Sequence, residues 1–256
     1  MTALDPIAPF RLDGRVAIVT GASAGLGERF ARVLHAAGAK VVIAARRTDR
    51  LEALAKELDG TLVIACDVAV DDDVDRLIAT TVERHGRIDV LVNNAGIGGP
   101  VAALDETPDD FRRTIAVNLT GAYVACQGAA RHMLEHGSGS IINIVSMLGI
   151  VGSGQVPFPS YTASKGGLVN LTRELAAEWG RGGVRVNALA PGWFPSEMTT
   201  DLFGDERSMA WVRRKSPMGR AGEPHELDGA LLFLASDASS YVTGHILTVD
   251  GGWTAV

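Results

Sequence analysis

Short apolar runs rich in β-branched residues alternate along the chain with segments whose apolar positions repeat at the helical period. Seven runs have the length and composition of strands: VAIVT from Val16, VVIAA from Val41, LVIAC from Leu62, DVLVNNA from Asp89, SIINIV from Ser140, VRVNALA from Val184 and HILTV from His245. Runs of this kind predict strands of a parallel sheet that is buried on both faces.

Helical segments lie between these strands, and several begin after a Ser, Thr or Asp that can cap the first turn. The predicted helices begin near Gly25, Thr48, Asp71, Pro108, Tyr161, Met198 and Glu223. The alternation predicts an α/β fold of the Rossmann type, with a doubly wound seven-stranded parallel sheet and helices on both faces.

No linker rich in Pro, Gly or Ser divides the chain, so we predict a single domain over residues 13–256 after an N-terminal tail of residues 1–12. Residues 191–224 carry four prolines and mix exposed charge with large apolar side chains. We expect this segment to be irregular and to form a lid over a binding site.

Composition and charge narrow the possible partners. The formal net charge of -6 disfavours a nucleic acid or an anionic membrane as partner. Cys66 and Cys126 show no disulfide or zinc spacing, and the N-terminus has no basic segment followed by an apolar stretch. We therefore expect a cytoplasmic protein.

The first predicted strand runs directly into TGASAGLG, residues 20–27. Glycines at 21, 25 and 27 would let the chain turn sharply and bring N–H groups at a helix start close to a pyrophosphate. The spacing differs from GxGxxG, and a purely structural turn remains an alternative. NNAG, residues 93–96, and Asp67 at the end of the third strand would lie at the same edge of the sheet, where Asp67 could accept from an adenine amino group.

SYTASKGG places Tyr161 and Lys165 four residues apart at a helix start, so both side chains project from one face. A phenol with a pKa of about 10 stays protonated at neutral pH, and a tyrosine that also accepts protons needs its anion stabilised. Lowering the pKa by about three units takes about 4 kcal/mol, which a cation one helical turn away, helped by the positive charge of a bound cofactor, is suited to supply. Taken alone, the pair could also be an aromatic residue with a lysine packed beside it.

Together these motifs resemble the short-chain dehydrogenase/reductase family from about Leu12 to Trp253, because TGASAGLG, NNAG, a serine after the fifth strand, YTASK and PG follow in the family's order. The resemblance implies a catalytic set of Asn118, Ser146, Tyr161 and Lys165. It also implies that a nicotinamide cofactor contacts Gly21, Ser23, Ala24, Gly25, Leu26, Gly27, Arg46, Arg47, Asp67, Val68, Asn94, Ala95, Gly96, Tyr161, Lys165, Pro191 and Gly192.

The same resemblance implies hydride transfer between nicotinamide and a ketone or secondary alcohol, with Tyr161 as general acid and base. Ser146 would hold the carbonyl oxygen, Lys165 would also bind the nicotinamide ribose, and Asn118 would hold a water that relays protons. Fourteen residues separate Ser146 from Tyr161, slightly more than the family usually places there, so the loop beside the substrate is expected to differ.

The second strand ends in Ala45, Arg46 and Arg47. In the family, NAD-dependent members carry an aspartate where this chain has Ala45, whereas a cation here suits the 2′-phosphate of NADP. NADP(H) is therefore favoured over NAD(H), with Arg46 as the phosphate contact and Arg47 as surface charge or a second contact. The second basic residue that many NADP-dependent members carry in the glycine turn is Ala24 here.

Other interpretations stay open at this stage. A 3-oxoacyl carrier-protein reductase could use the basic patch Arg213–Lys215, although a solvated helix end also explains it, and a non-catalytic cofactor-binding regulator could share the fold. His132 and His136 have a metal-compatible spacing without an evident third ligand, and no metal is predicted.

A homotetramer is expected from the family. Large apolar residues in the lid and the loop before Tyr161 suggest a substrate pocket less suited to sugar alcohols; they are Phe158, Trp193, Phe194, Met198 and Trp211.

Overall fold

A computed structural model describes residues 5–256, which contain seven strands in one sheet. They are β1 (Val16–Thr20), β2 (Lys40–Ala45), β3 (Leu62–Ala65), β4 (Val90–Asn93), β5 (Gly139–Ile144), β6 (Val184–Pro191) and β7 (Ile246–Val249). Their order is β3-β2-β1-β4-β5-β6-β7, and each neighbouring pair is parallel. The predicted α/β fold with a seven-stranded parallel sheet is confirmed.

Nine α-helices connect these strands within the described residues. They are α1 (Gly25–Ala36), α2 (Thr48–Ala55), α3 (Asp71–His85), α4 (Pro108–Ile115), α5 (Gly121–Glu135), α6 (Pro159–Trp179), α7 (Thr200–Gly204), α8 (Glu206–Lys215) and α9 (Asp228–Ala235). A π-helical turn, Ala116–Thr120, joins α4 directly to α5. The helix predicted from Pro108 therefore continues to Glu135.

The sheet is buried on both faces because helices pack against each of them. On one face Phe30 and Leu34 of α1 join Leu231 and Leu234 of α9 in a core with the strands. On the other face α3, α5 and α6 pack against the sheet, with Met133 of α5 among the fully buried side chains. Burial on both sides explains why the strand sequences are apolar throughout rather than alternating.

Most element boundaries lie within one residue of the predictions, and the larger differences include those at β4, at α6 and after Glu223. β4 ends at Asn93 rather than Ala95, because the N–H groups of Asn94 and Ala95 both donate to the Thr20 hydroxyl instead of continuing the sheet. α6 begins two residues before Tyr161, at Pro159, whose missing N–H suits a first helical position. The helix predicted near Glu223 is a 3-10 turn, Pro224–Leu227, followed by α9.

The segment 191–224 combines helices with loops at 192–196 and 216–223, and the helix predicted near Met198 lies within it. It contains a 3-10 turn, Glu197–Thr199, and then α7 and α8. Asp205 caps α8 by accepting from the N–H groups of Arg207 and Ser208. Burial of Trp211 in α8 then holds that helix against the rest of the chain.

The predicted tail, residues 1–12, lies partly outside the described residues. In its described part, Ala8–Phe10 form a 3-10 turn, and the buried Leu12 donates its N–H to the Ala37 carbonyl at 2.8 Å. No helix between residues 5 and 256 is both long enough and apolar enough to cross a bilayer.

The strand order reverses direction between β1 and β4. β1 connects towards β2 and β3 on one side, whereas β4, β5, β6 and β7 continue on the other. In open α/β sheets the loops at such a point separate and leave a crevice at the carboxyl ends of the strands. This is where the functional site is expected.

Candidate active site

A cleft of about 570 Å³ opens at the carboxyl ends of the strands. Every residue predicted to contact the cofactor lines it, and so does Ser146. Of the predicted catalytic set, only Asn118 lies outside the cleft wall. The structure therefore gathers loops from six strands, far apart in sequence, around one cavity.

The glycine turn after β1 is shaped by close backbone contacts. Gly25 has a φ of +58°, which suits glycine, and a Cβ on Gly27 would lie 2.3 Å from the Gly21 carbonyl oxygen. α1 starts at Gly25, and its N-cap residue Ala24 provides no side-chain hydrogen bond. The first amides of α1 are thus left for another acceptor, and they fit the pyrophosphate of a dinucleotide.

NNAG holds two strand ends together rather than only lining the cleft. The Asn94 amide donates to the carbonyl oxygens of Thr20 and Gly21 at 3.0 and 3.2 Å. The Thr20 hydroxyl accepts from the N–H groups of Asn94 and Ala95, each at 3.1 Å. These bonds fix the glycine turn against the loop after β4, and the sequence analysis had not singled out Thr20.

The end of β2 brings Arg46 and Arg47 to the cleft wall. Arg46 Nη1 lies 3.8 Å from Asp67 Oδ2, while Arg47 Nε donates to the Ser23 hydroxyl at 3.2 Å. Arg47 thus reaches the glycine turn, where the family's second basic residue is missing at Ala24. Both arginines are exposed and could receive an anionic group.

At the opposite end of the cleft, Lys165 is only 3% exposed, and its Nζ donates to the Ile144 carbonyl at 2.7 Å. Nζ lies 5.7 Å from the centroid of the Tyr161 ring. Burial lowers the pKa of Lys165 from 10.5 to about 8. Burial also raises the pKa of Tyr161, with the Ser146 side chain acting in the opposite direction.

The lowered pKa expected for Tyr161 depends on Lys165 together with the positive charge of a bound nicotinamide, and burial of the phenol acts against both. The bond to the Ile144 carbonyl uses one of the three N–H groups of the Lys165 ammonium. The lowered phenol pKa therefore stays a prediction for the protein with its cofactor bound.

Asn118 is completely buried in the π-helical turn. Its side-chain oxygen accepts from the Ile97 N–H at 2.8 Å, and its amide donates to the Ile97 carbonyl at 2.8 Å and to Ser164 Oγ at 3.0 Å. Ser164 in turn donates to the Tyr161 carbonyl at 2.7 Å. The side chain therefore ties the loop after β4 to the helix that carries Tyr161.

Comparison with known proteins agrees with this geometry. A family model described as enoyl-(acyl carrier protein) reductase matches residues 21–254. The structure of a short-chain type dehydrogenase/reductase from Mycobacterium marinum is 38% identical with a TM-score of 0.93, covering 98% of this chain and 99% of that one. The chain belongs to the short-chain dehydrogenase/reductase family.

Two further family members illustrate the range of known relatives. Galactitol 2-dehydrogenase (L-tagatose-forming) of Cereibacter sphaeroides is 43% identical over 247 residues, which cover 96% of this chain and 97% of the relative. The structure of a gluconate 5-dehydrogenase from Burkholderia cenocepacia J2315, in complex with NADP and tartrate, is 39% identical with a TM-score of 0.94. It covers 98% of this chain and 100% of that one.

Within this short-chain dehydrogenase/reductase, some site residues escaped the sequence analysis. A Cβ on Gly98 would lie 2.5 Å from Tyr161 Cδ2, so the absence of a side chain lets the loop after β4 pack on the phenol ring. The Ile144 carbonyl holds Lys165, and Glu197 lines the cleft beside Arg47. The position of Gly98 just after NNAG could have indicated its role from the sequence. The Ile144 carbonyl and Glu197 could not have been identified in that way, because one is a backbone group and the other is distant in sequence.

The apolar wall expected around the substrate is divided. Phe194 and Met198 line the cleft. Trp193 and Trp211 are buried and pack edge-to-face with Trp253, with ring centroids 5.9 and 4.9 Å from it. Trp193 and Trp211 of the lid therefore form a core with Trp253 rather than the cleft wall.

The loop between Ser146 and Tyr161 begins with a 3-10 turn, Met147–Gly149, capped when Ser146 Oγ accepts from the Leu148 N–H at 3.1 Å. Further on, the Pro157 carbonyl accepts from the Val101 N–H at 3.0 Å. The loop between Ser146 and Tyr161 is therefore joined to the loop after β4.

The remaining candidate residues make contacts of their own. His136 Nδ1 lies 2.7 Å from the His132 carbonyl oxygen, and within residues 5–256 no three His, Cys, Asp or Glu side chains are placed to hold a metal ion. In the basic patch, Arg213 pairs with Glu206, and Lys215 Nζ lies 5.0 Å from the Trp253 ring centroid. Two of the three cations are thus engaged within the chain.

Proposed function

We propose that this protein is an NAD(P)-dependent oxidoreductase that interconverts a secondary alcohol and a ketone, with NADP(H) preferred. One observation carries the proposal: Ser146, Tyr161 and Lys165 meet at one end of a cleft whose other end holds two arginines beside an uncapped helix start. The NADP complex of the related gluconate 5-dehydrogenase supports the choice of cofactor.

The cofactor would be held by residues that serve different parts of it. The amides at the start of α1 suit the pyrophosphate, and Arg46 and Arg47 suit a 2′-phosphate on the adenosine. Lys165, at the far end of the cleft, would bind the nicotinamide ribose. When bound, the nicotinamide ring supplies or accepts the hydride.

The protein's own contribution is proton transfer and orientation. In reduction, the Tyr161 hydroxyl donates its proton to the carbonyl oxygen of the substrate, and in oxidation it takes the proton back. The Ser146 hydroxyl donates a hydrogen bond to the same oxygen and stabilises the charge that develops there. Lys165 stabilises the phenolate when Tyr161 has given up its proton.

For the Asn118 side chain we propose a role other than the water-holding role that the family resemblance implies. Its side-chain oxygen and amide are engaged with Ile97 and Ser164. We propose that this side chain acts by positioning Tyr161, and that a proton relay through a water would need backbone groups.

For the substrate we propose a polyol or a hydroxy acid. The names of two relatives, galactitol 2-dehydrogenase and gluconate 5-dehydrogenase, support this class. Of the five apolar residues that argued against sugar alcohols, Trp193 and Trp211 lie in a core with Trp253, and Phe194 and Met198 line the cleft. A carrier-protein substrate is less well supported, because Arg213 and Lys215 already have partners within the chain.

We also propose a homotetramer in the cytoplasm. Tyr123 and Leu134 of α5 and Tyr241 before β7 expose large apolar surface that an oligomer would cover. Cys66 and Cys126 are free thiols, which suits a reducing compartment. Light scattering measures the mass, and four times the 26.9 kDa of one chain is expected.

The decisive experiment follows reduced nicotinamide by its absorbance with galactitol, gluconate and a set of simple secondary alcohols, using each cofactor. Tyr161→Phe should abolish turnover, because the ring remains but the exchangeable proton is lost, while cofactor affinity measured by calorimetry should stay within about twofold. A non-catalytic regulator would instead bind cofactor without turning over any substrate. Turnover by Tyr161→Phe at near-native rates would contradict the acid–base assignment.

A further inference from the structure

Two segments that are distant in sequence meet across the adenosine end of the cleft. Arg47 follows β2, and Glu197 begins the 3-10 turn after β6. The Arg47 guanidinium makes a two-point contact with the Glu197 carboxylate, at 3.2 and 2.9 Å. Arg50 Nη1 also lies 2.5 Å from Glu197 Oε1, so one carboxylate binds two cations.

The same arginine is in contact with the glycine turn, since its Nε donates to the Ser23 hydroxyl at 3.2 Å. Arg47, Ser23 and Glu197 all line the cleft. A phosphate on the adenosine ribose, between the end of β2 and the glycine turn, would have to share Arg47 with Glu197. The phosphate and the Glu197 carboxylate would repel each other at the Arg47 guanidinium. The carboxylate already accepts from both terminal nitrogens of that guanidinium, which form the two-point contact that suits such anions best.

We propose that Glu197 is a specificity-determining residue for the cofactor. Its carboxylate competes with the 2′-phosphate of NADP(H) for Arg47, and so reduces the preference for NADP(H) that Arg46 and Arg47 would otherwise give. NAD(H), which lacks that phosphate, does not compete for Arg47. This inference rests on the proposed function, because it requires a dinucleotide in the cleft.

The competition operates over the whole working pH range. Hydrogen bonds from Arg47 and Arg50 lower the pKa of Glu197 to about 2, so the carboxylate is ionised at any neutral pH. The Glu197 side chain is 55% exposed, and salt therefore screens its pairs. The effect on cofactor choice should be largest at low ionic strength.

The test is calorimetric titration of the full chain and of Glu197→Gln with NADP+ and with NAD+ at low salt. Releasing Arg47 from an exposed ion pair should lower the Kd for NADP+ about fivefold, the factor that corresponds to the upper end of such pairs. The Kd for NAD+ should change less than about twofold. The gain for NADP+ should disappear when Arg47→Met is combined with Glu197→Gln.

Glu206→Gln is the matched control. Like Glu197, Glu206 is an exposed glutamate after β6 that pairs with an arginine. Unlike Glu197, it lies on α8, away from the cleft wall. The control substitution changes the net charge equally and should leave both Kd values unchanged. An equal gain for both cofactors in Glu197→Gln, no gain, or weaker NADP+ binding would overturn the inference while leaving the proposed function intact. If the unmodified protein binds neither dinucleotide, the proposed function itself fails.

Discussion

Replacing Lys165 with Met removes a buried cation and should change how the stability of the protein depends on pH. Lys165 is 3% exposed, and burial lowers its pKa from 10.5 to about 8. In the unfolded chain the side chain is solvated and recovers its ordinary pKa. Between these two values the unfolded chain therefore holds a proton that the folded protein has released.

The sign and size of the effect follow from this difference. Stability rises with pH wherever the unfolded state binds more protons, so Lys165 contributes stability that is present above pH 10.5 and lost as the pH falls through about 8. The full shift corresponds to about 3 kcal/mol, and about 2 kcal/mol of it develops between about pH 7 and about pH 9.5.

The assay is urea unfolding followed by tryptophan fluorescence, without cofactor and at fixed protein concentration, for both proteins at the two pH values. Burial raises the pKa of Tyr161, Cys66 and Cys126, which acts in the opposite direction. These groups are present in both proteins, so the difference between the two proteins reports Lys165 together with its effect on Tyr161. The unmodified protein should gain about 2 kcal/mol relative to Lys165→Met at the higher pH.

A matched control is Lys56→Met, which removes an exposed lysine at the end of α2 and should give the same pH dependence as the unmodified protein. If the difference in unfolding free energy between the unmodified protein and Lys165→Met is the same at both pH values, the folded protein does not hold Lys165 at a lowered pKa. The burial argument would then be wrong.

Two further substitutions test the packing around Tyr161. Gly98→Ala places a Cβ 2.5 Å from Tyr161 Cδ2. As a result, kcat should fall at least about tenfold and the unfolding free energy should fall by about 1–3 kcal/mol. In the control Gly99→Ala, the added Cβ meets no atom within 4 Å, so both quantities should stay unchanged. Asn118→Ala removes three hydrogen bonds to Ile97 and Ser164 and should cost about 2–4 kcal/mol in urea unfolding, with the exposed Asn170→Ala as control. Equal behaviour of variant and control would refute the argument in either case.

The fold could be predicted because its physical causes are local in sequence. Strands buried on both faces are continuous apolar runs, and β1 is observed at the predicted residues, Val16–Thr20. The Tyr161–Lys165 spacing likewise fixes two side chains on one helix face, whatever surrounds them. Both the apolar runs and this spacing can be read from the sequence without knowledge of the tertiary structure.

The lid and the adenosine end could not be predicted in the same way, because they depend on contacts between distant residues. Glu197 meets Arg47 from 150 positions away. The lid helices depend on the burial of Trp211, which sequence alone could equally assign to a pocket wall. The raised pKa of Tyr161 depends on how closely the neighbouring loops exclude water.

The π-helical turn at Ala116–Thr120 inserts one residue into an otherwise continuous helix from Pro108 to Glu135. One extra residue rotates everything that follows by about 100° about the helix axis. Ala125, Ala129 and Met133 face the sheet only with this rotation in place. The turn that holds Asn118 thus also determines which face of α5 packs against the sheet. The position of Asn118 in the site and the burial of Met133 in the core therefore depend on the same turn.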